Sequence, residues 1–205
     1  MASAASSSSV PSRSTAKAAT RPIPPTTSRP PQGAYAISKH EAEQGLWEIA
    51  ARTGLEVAIL RPPLVYGPGV GGNFRTLQRL VARGIPLPLA SIRNRRSLLG
   101  VENFASAISL LLTHAGAPGK TWLVSDQHDL STPDLIRAIA AAQGKRARLF
   151  PFPPILLRTA ATLIGRHRIY EQLAGSLTFD AEPLTHELGW KPARTIAEQL
   201  AAIPR

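Results

Sequence analysis

The sequence predicts an α/β fold with parallel strand pairing, because short apolar runs alternate with helical patterns from residue 35 onward. The run 57–60 is apolar on both faces, which is typical of a strand buried inside a parallel sheet. Gly54 and Gly144 each stand just after a helical pattern, where glycine commonly ends a helix. With 43% hydrophobic residues the chain can bury a core, and no segment has the apolar length of a membrane-spanning helix.

The individual elements follow from these patterns in chain order. Helices are predicted at 36–53, 73–83, 102–114, 133–142, 153–165, 168–174, 185–188 and 196–202. Strands are predicted at 56–61, 97–101 and 121–124, with a further short strand at 146–150. Thr132 is the predicted N-cap of the fourth helix, with Pro133 at its first position. The apolar run 155–164 is short and contains an arginine, so it indicates a core helix or, as the alternative, an interfacial one.

Residues 1–32 differ in composition from the remainder, which we assign to a folded part at 33–205. The first segment is rich in serine, alanine and proline and cannot bury enough apolar surface to offset its ordering entropy, so we expect disorder. Three explanations compete: an organelle transit peptide, a linker, or an altered gene start or reading frame that replaced a first domain. We favour the last.

Charge and composition limit the classes of partner. The formal net charge is +11, but the basic residues of the folded part are dispersed and aromatic residues are only 5%, so we expect no nucleic-acid binding. A modest positive charge suits a negatively charged small molecule. The sequence has no cysteine and its five histidines are scattered, so we expect neither disulfides nor a metal site.

Tyr35 and Lys39 are the first candidate functional residues. They are four residues apart at the start of the first predicted helix, so one helical turn places them on the same face. A free tyrosine has a pKa near ~10, and a neighbouring cation favours the phenolate. The pair could therefore transfer a proton during oxidation of an alcohol. The alternative is an ordinary solvated helix face.

The segments after Tyr35 resemble a known family. Arg61-Pro62-Pro63-Leu64-Val65-Tyr66-Gly67-Pro68-Gly69 predicts a turn-rich exit from the strand, where the prolines end the pairing. Further motifs follow at 73–74, 83–89, 95–103 and 188–192, the last reading Leu-Gly-Trp-Lys-Pro. Together they resemble the extended branch of the short-chain dehydrogenase/reductase superfamily, the NAD-dependent sugar-nucleotide epimerases and dehydratases, in a form similar to UDP-glucose 4-epimerases. The resemblance covers about residues 35–203.

The resemblance implies a partial Rossmann-like parallel sheet with a small α/β substrate-binding subdomain. We expect the family's amino-terminal dinucleotide-binding half to be missing from this chain, since no G-x-x-G-x-x-G turn stands before Tyr35. The glycines at 67–72 follow a strand, but Pro68 removes a backbone donor and their spacing does not fit a dinucleotide turn. We interpret them as a substrate-side loop, with a phosphate cradle as the alternative.

The resemblance also implies residue roles. Tyr35 would be the catalytic acid/base, and Lys39 would bind the nicotinamide ribose of NAD. The cofactor-binding residues would be Tyr35, Lys39, Pro62 and Pro63. The substrate-binding residues would be Asn73, Leu87 and Arg96, with Arg96 on the diphosphate of a UDP-sugar, or as the alternative a plain surface charge. We assign no residue to the family's catalytic serine or threonine.

We therefore expect a UDP-sugar 4-epimerase-like, cytoplasmic protein that is inactive as this chain alone and homodimeric in its complete form. One alternative is a UDP-4-keto-sugar reductase of polysaccharide biosynthesis, which would use the same Tyr/Lys pair. Another is a non-catalytic remnant that serves as an interaction module.

Overall fold

The structure, a computed structural model, describes residues 34–203. The predicted segment 1–32 lies outside this range. Helices in chain order are α1 Ala34–Thr53, α2 Gly72–Ala82, α3 Val101–Thr113, α4 Thr132–Ala142, α5 Pro154–Leu163, α6 His167–Ala174, α7 Glu182–Leu188 and α8 Ile196–Ala201. Strands are β1 Ile59–Arg61, β2 Leu64–Tyr66, β3 Leu98–Gly100 and β4 Thr121–Leu123.

The strands form two parallel pairs, which confirms the predicted fold class. β1 pairs with β4 and β2 pairs with β3. Pro62 and Pro63 separate the two pairs, because proline has no N–H to donate to a ladder. The prediction of a turn throughout 61–69 was therefore wrong at β2. The prolines end one pairing, and the apolar residues after them begin a second.

Two apolar clusters form the core of the described residues. The first lies around α2, α4 and β2, and contains Tyr66, Phe74 and Ile136. The second contains Trp122 on β4 and Trp190 from the Leu-Gly-Trp-Lys-Pro motif. Trp190 becomes buried because Gly189 ends α7 in a left-handed conformation with φ of 72° and turns the chain inward. Full burial of a side chain such as Phe74 or Ile136 stabilises the folded state by about 1.5–3 kcal/mol.

Three local predictions were wrong. The N-cap of α4 is Ser131, whose hydroxyl accepts from the Asp134 N–H at 3.2 Å, while the buried Thr132 hydroxyl donates to the Leu173 carbonyl at 2.6 Å. The strand predicted at 146–150 is reduced to one parallel bridge between Leu87 and Leu149. The expected core helix α5 has no buried residue.

Within residues 34–203, no helix is both long enough and apolar enough to cross a membrane. The same part of the chain has no cluster of histidine, cysteine and carboxylate side chains suited to a metal ion.

Candidate functional site

Helix α1 carries the predicted catalytic pair. Tyr35 lies in its first turn, and Lys39 follows one turn later on the exposed surface. The helix ends as predicted, since Gly54 has φ of 73° and its N–H bonds the Ala50 carbonyl at 3.0 Å. The backbone therefore holds residues 35 and 39 on one face of a regular helix.

A bidentate ion pair joins this helix to the sheet. Arg61, the last residue of β1, donates from Nε to Glu43 Oε1 at 2.9 Å and from Nη2 to Glu43 Oε2. Both side chains are partly buried, which reduces the screening of their charges by water. Glu43 is one turn after Lys39, so the pair fixes the Tyr35–Lys39 side of α1 relative to the carboxyl end of β1. Sequence analysis missed this pair, because periodicity within a helix does not relate residues 18 positions apart on two elements.

Pro62 and Pro63 follow Arg61 directly and are half-buried. They lie at the carboxyl ends of β1 and β4, because parallel strands end at the same edge of a sheet. This edge is where ligands bind in open α/β sheets. The Glu43–Arg61 pair thus connects the predicted catalytic helix to the predicted cofactor-contacting prolines through one residue.

Asn73 and Arg96, two of the three predicted substrate residues, both contact Gln172 on α6. The Asn73 amide donates to Gln172 Oε1 at 2.9 Å. Arg96 Nη1 donates to the Gln172 carbonyl and, at 3.3 Å, to the Gly175 carbonyl. Within residues 34–203 both bonds of this guanidinium come from Nη1, so its other nitrogens retain donor capacity.

The environment of Arg96 differs from that of an ordinary surface arginine. Burial lowers its pKa from the ordinary value, because desolvation disfavours the charged form. Arginine still keeps its charge at neutral pH. The structure therefore links a partly desolvated cation to Asn73, in the first turn of α2, through one shared residue, Gln172. That helix begins at Gly71 without a side-chain cap, so its first N–H groups are available to an acceptor.

Leu87, the third predicted substrate residue, is only 9% exposed and belongs to the first core cluster. Its backbone N–H bonds the Arg148 carbonyl at 2.8 Å, and its carbonyl accepts from the Phe150 N–H at 3.1 Å. The structure thus places Leu87 in the core with both backbone groups paired.

A buried polar network around Asp126 was not predicted from sequence. The Asp126 carboxylate accepts from the Tyr66 hydroxyl at 2.6 Å, from Asn103 Nδ2 at 2.7 Å and from the Gly100 N–H at 3.1 Å. Asn103 also bonds the backbone of Arg194 in both directions, at 2.8 and 3.0 Å. The network links β2, β3 and α3 to the carboxy-terminal segment.

Tyr66 is unsuited to act as a base at neutral pH. Burial is the main cause that raises its pKa above the ordinary value, and the hydrogen bond to Asp126 and the charge of Asp126 raise it further. Tyr66 therefore stays protonated and acts as a structural donor. It is distinct from Tyr35, which has a lysine one turn away.

Comparison with known proteins identifies the family. The model of the NAD dependent epimerase/dehydratase family matches residues 2–125, which is 124 of the 205 residues. The chain belongs to this family. The resemblance derived from the sequence motifs is therefore confirmed. The match begins at residue 2, so it includes residues 2–32 of the first segment, and a domain boundary after residue 32 stays a prediction.

Two curated relatives are longer than this chain, and the chain aligns with only part of each. It is 41% identical over 169 residues to a UDP-glucose 4-epimerase from Vibrio cholerae, covering 82% of this chain and 52% of that protein. It is 26% identical over 123 residues to an N-acetyl-alpha-D-glucosaminyl-diphospho-ditrans,octacis-undecaprenol 4-epimerase from Escherichia coli O157:H7, covering 58% of this chain and 37% of that protein. The chain spans about half or less of their lengths.

Solved structures of epimerases share the fold. A UDP-N-acetylglucosamine 4-epimerase from Bacillus cereus aligns with a TM-score of 0.66 at 17% identity, covering 89% of this chain and 57% of that one. A UDP-glucose 4-epimerase from Thermus thermophilus, in complex with NAD, aligns with a TM-score of 0.64 at 22% identity, covering 85% and 53%. At these identities the alignments establish the Rossmann-like α/β fold of the family member.

Proposed function

We propose that this chain carries the proton-transfer and substrate-binding part of an NAD-dependent UDP-sugar 4-epimerase. The observation that carries the proposal is the Glu43–Arg61 ion pair, which fixes the Tyr35–Lys39 face of α1 at the edge of the sheet where Pro62 and Pro63 lie. The 41% identity to a UDP-glucose 4-epimerase supports this choice of substrate class.

In this proposal Tyr35 is the catalytic acid/base and removes the proton of the sugar C4 hydroxyl. The Lys39 ammonium lowers the pKa of Tyr35, because a nearby cation favours the phenolate. Lys39 also donates to the nicotinamide ribose, and Pro62 and Pro63 contact the nicotinamide end. NAD would supply reversible hydride acceptance from C4, and the residues that would hold it are Tyr35, Lys39, Pro62 and Pro63.

The diphosphate of the substrate binds, in this proposal, at Asn73 and Arg96. Arg96 keeps nitrogen donors beyond Nη1, and planar guanidinium groups suit the paired oxygens of a phosphate. The uncapped amino terminus of α2 favours the same negative charge. Leu87 then acts indirectly, by pairing with 148–150 behind this surface.

We further propose that the chain alone binds NAD weakly and does not turn over. The sequence contains no G-x-x-G-x-x-G turn, the element whose backbone donors and helix dipole hold a pyrophosphate. Titration of the purified chain with NADH should therefore leave the nicotinamide fluorescence unchanged. Tight binding of NADH by the chain would contradict this part of the proposal.

The decisive experiment restores a cofactor half. Residues 35–205 are joined to the amino-terminal half of the Vibrio cholerae relative, and conversion of UDP-glucose is measured. Tyr35→Phe should lower turnover by about 10²-fold or more, because it removes the proton carrier and keeps the ring. Tyr170→Phe, on α6, is the matched control and should retain activity.

The same assay separates the alternatives. A 4-epimerase interconverts its substrates without net consumption of NADH, whereas a 4-keto-sugar reductase consumes it in proportion to product. Equal turnover of Tyr35→Phe and Tyr170→Phe would reject the assignment of the acid/base. A folded chimera that binds UDP-glucose but converts nothing would favour the non-catalytic remnant.

A further inference from the structure

The helical hairpin formed by α5 and α6 has an apolar outer face. Ile155, Leu163 and Ile164 are 75%, 83% and 68% exposed, and Leu156 is also exposed. Isolated exposed leucines are common in proteins, but four large apolar side chains on one ten-residue helix and its end are not. Helix α5 has no buried residue, so these four side chains do not stabilise the helix by packing into the core.

The inner side of the hairpin is fixed to the core. Leu157 from α5 and Leu173 from α6 pack against the first core cluster. On a helical projection Leu157 lies roughly 100–160° away from Ile155, Leu156 and Leu163. Ile164, the C-cap residue after the helix, lies on the side of Leu157 and is exposed because the helix ends there. The hairpin is therefore anchored by one side and presents the other outward.

The charges around this face are mainly positive. Residues 154–170 contain Arg158, Arg166 and Arg168 and no aspartate or glutamate, and the acid on α6 is Glu171, whose Oε1 lies 3.6 Å from His167 Nε2. The three arginines are exposed on α5, on the α5–α6 connection and on α6. We call the outer face made by Ile155, Leu156, Leu163, Ile164 and these three arginines the hairpin patch.

We propose that the hairpin patch binds peripherally to the surface of an anionic phospholipid bilayer. Apolar side chains with flanking arginines on a short helix are the pattern of segments that lie in the interface of a membrane. Its apolar residues would enter the boundary between headgroups and acyl chains, and its arginines would contact phosphate. At ten residues α5 is too short to span the bilayer.

The arginines of the hairpin patch favour an anionic membrane over a second copy of the chain as its binding partner. A symmetric dimer through this face would place the patch against itself and bring its arginines together. Like charges in an interface oppose association. An anionic surface instead gains from each arginine, by about 1 kcal/mol per residue near the membrane.

Vesicle flotation tests the proposal, because aggregated protein stays at the bottom of the gradient. The full chain is mixed with vesicles of phosphatidylcholine alone or of phosphatidylcholine with phosphatidylglycerol. The chain should float with the anionic vesicles and not with the neutral ones. Combined Arg158→Gln, Arg166→Gln and Arg168→Gln should weaken binding by roughly 10²-fold, since three favourable charges are lost.

Matched controls separate the patch from net charge and from general hydrophobicity. Combined Arg52→Gln, Arg75→Gln and Arg79→Gln removes three exposed arginines elsewhere and should weaken binding much less. Combined Leu163→Ser and Ile164→Ser should abolish flotation, whereas Leu112→Ser, at an 81% exposed position on α3, should not. All substituted positions are exposed, so these variants should fold.

Three outcomes would overturn the proposal. One is the absence of flotation with anionic vesicles. Another is an equal loss in the patch variants and in their controls. The third is a dimer, seen by light scattering, that dissociates on Leu163→Ser and Ile164→Ser while flotation is unchanged, which would assign the patch to self-association.

Discussion

Glu43 and Arg61 form a bidentate ion pair between the middle of α1 and the last residue of β1. The pair is 18 residues apart in sequence, so it constrains where a 20-residue helix lies on the sheet. The two side chains do not touch substrate in our proposal. Their role is to position the helix that carries Tyr35 and Lys39.

Removal of the Glu43 carboxylate should affect both stability and chemistry. Glu43→Ala leaves the partly buried Arg61 without its charge partner, so the free energy of unfolding of the chain should fall by about 1–3 kcal/mol. In the chimera, kcat should fall more than KM rises, because α1 is displaced and the diphosphate site is not. Urea unfolding and steady-state kinetics give the two values. The exposed Glu48→Gln on the same helix is the control, and an equal effect of both substitutions would reject the positioning role.

Tyr66 should make stability depend on pH in the alkaline range. Its pKa is raised in the folded state by burial and by Asp126, above the ordinary value of 10.0. The unfolded state then releases a proton that the folded state keeps, so the stabilisation is complete below pH ~10 and decreases as pH rises above it. The loss should be about 1.4 kcal/mol per pH unit. Tyr66→Phe should remove this slope, measured by urea unfolding between about pH 8 and about pH 11. Parallel curves for the two proteins would contradict it.

Arg96 should distinguish a diphosphate from a nucleoside. Arg96→Ala should weaken UDP binding by about 1.5–3 kcal/mol, roughly 10- to 150-fold, because it removes charge-assisted hydrogen bonds. Binding of uridine should change little. Calorimetric titration of the chain measures both, with the exposed neighbour Arg93→Ala as the control. Equal UDP affinity in wild type and Arg96→Ala would place Arg96 outside the site and leave it a structural residue that bonds the Gln172 carbonyl.

Gly100 should not tolerate a side chain, for reasons of space. A Cβ at this position would overlap the amide group of Gln199, a side chain that is itself only 1% exposed. Gly100→Ala should therefore destabilise the chain by about 1–3 kcal/mol through overpacking. Gln199→Ala creates the missing space, so the double variant should be more stable than the sum of the two single effects predicts. Strict additivity in thermal unfolding would show that another contact excludes the methyl group.

The sequence was informative where structure depends on local chemistry. The extent of α1, its Gly54 cap, α2 and β3 followed from periodicity and capping residues, and the ordered motifs identified the family. Proline was misleading at Pro62 and Pro63, because a residue that ends one ladder does not prevent the next three residues from pairing with another strand. The N-cap prediction for Thr132 was wrong because two adjacent hydroxyls could cap α4. The Thr132 hydroxyl bonds the distant Leu173 carbonyl instead, and Ser131 is the cap.

The long-range contacts of the site could not be predicted. Asn73 and Gln172 are 99 positions apart, and Tyr66 and Asp126 are 60 apart. Periodicity within a helix or strand carries no information about such pairs. The sequence did not decide between the two alternatives for α5, since a run of leucine and isoleucine has the same pattern in a core helix as in an interfacial one.

The break at Pro62 and Pro63 also predicts different rates of amide hydrogen exchange in the two strand pairs. Neither proline has an N–H, so no ladder hydrogen bond carries cooperativity from the β1–β4 pair to the β2–β3 pair. The two pairs are coupled instead through the second core cluster, which contains Leu99 of β3 and Trp122 of β4, and each pair has its own free energy of local opening. The amide protons of Leu98, Leu99 and Gly100, all buried, should exchange with solvent late, and those of the half-buried β1 early. Strand β1 can thus open locally while the hydrogen bonds of the Asp126 network remain formed.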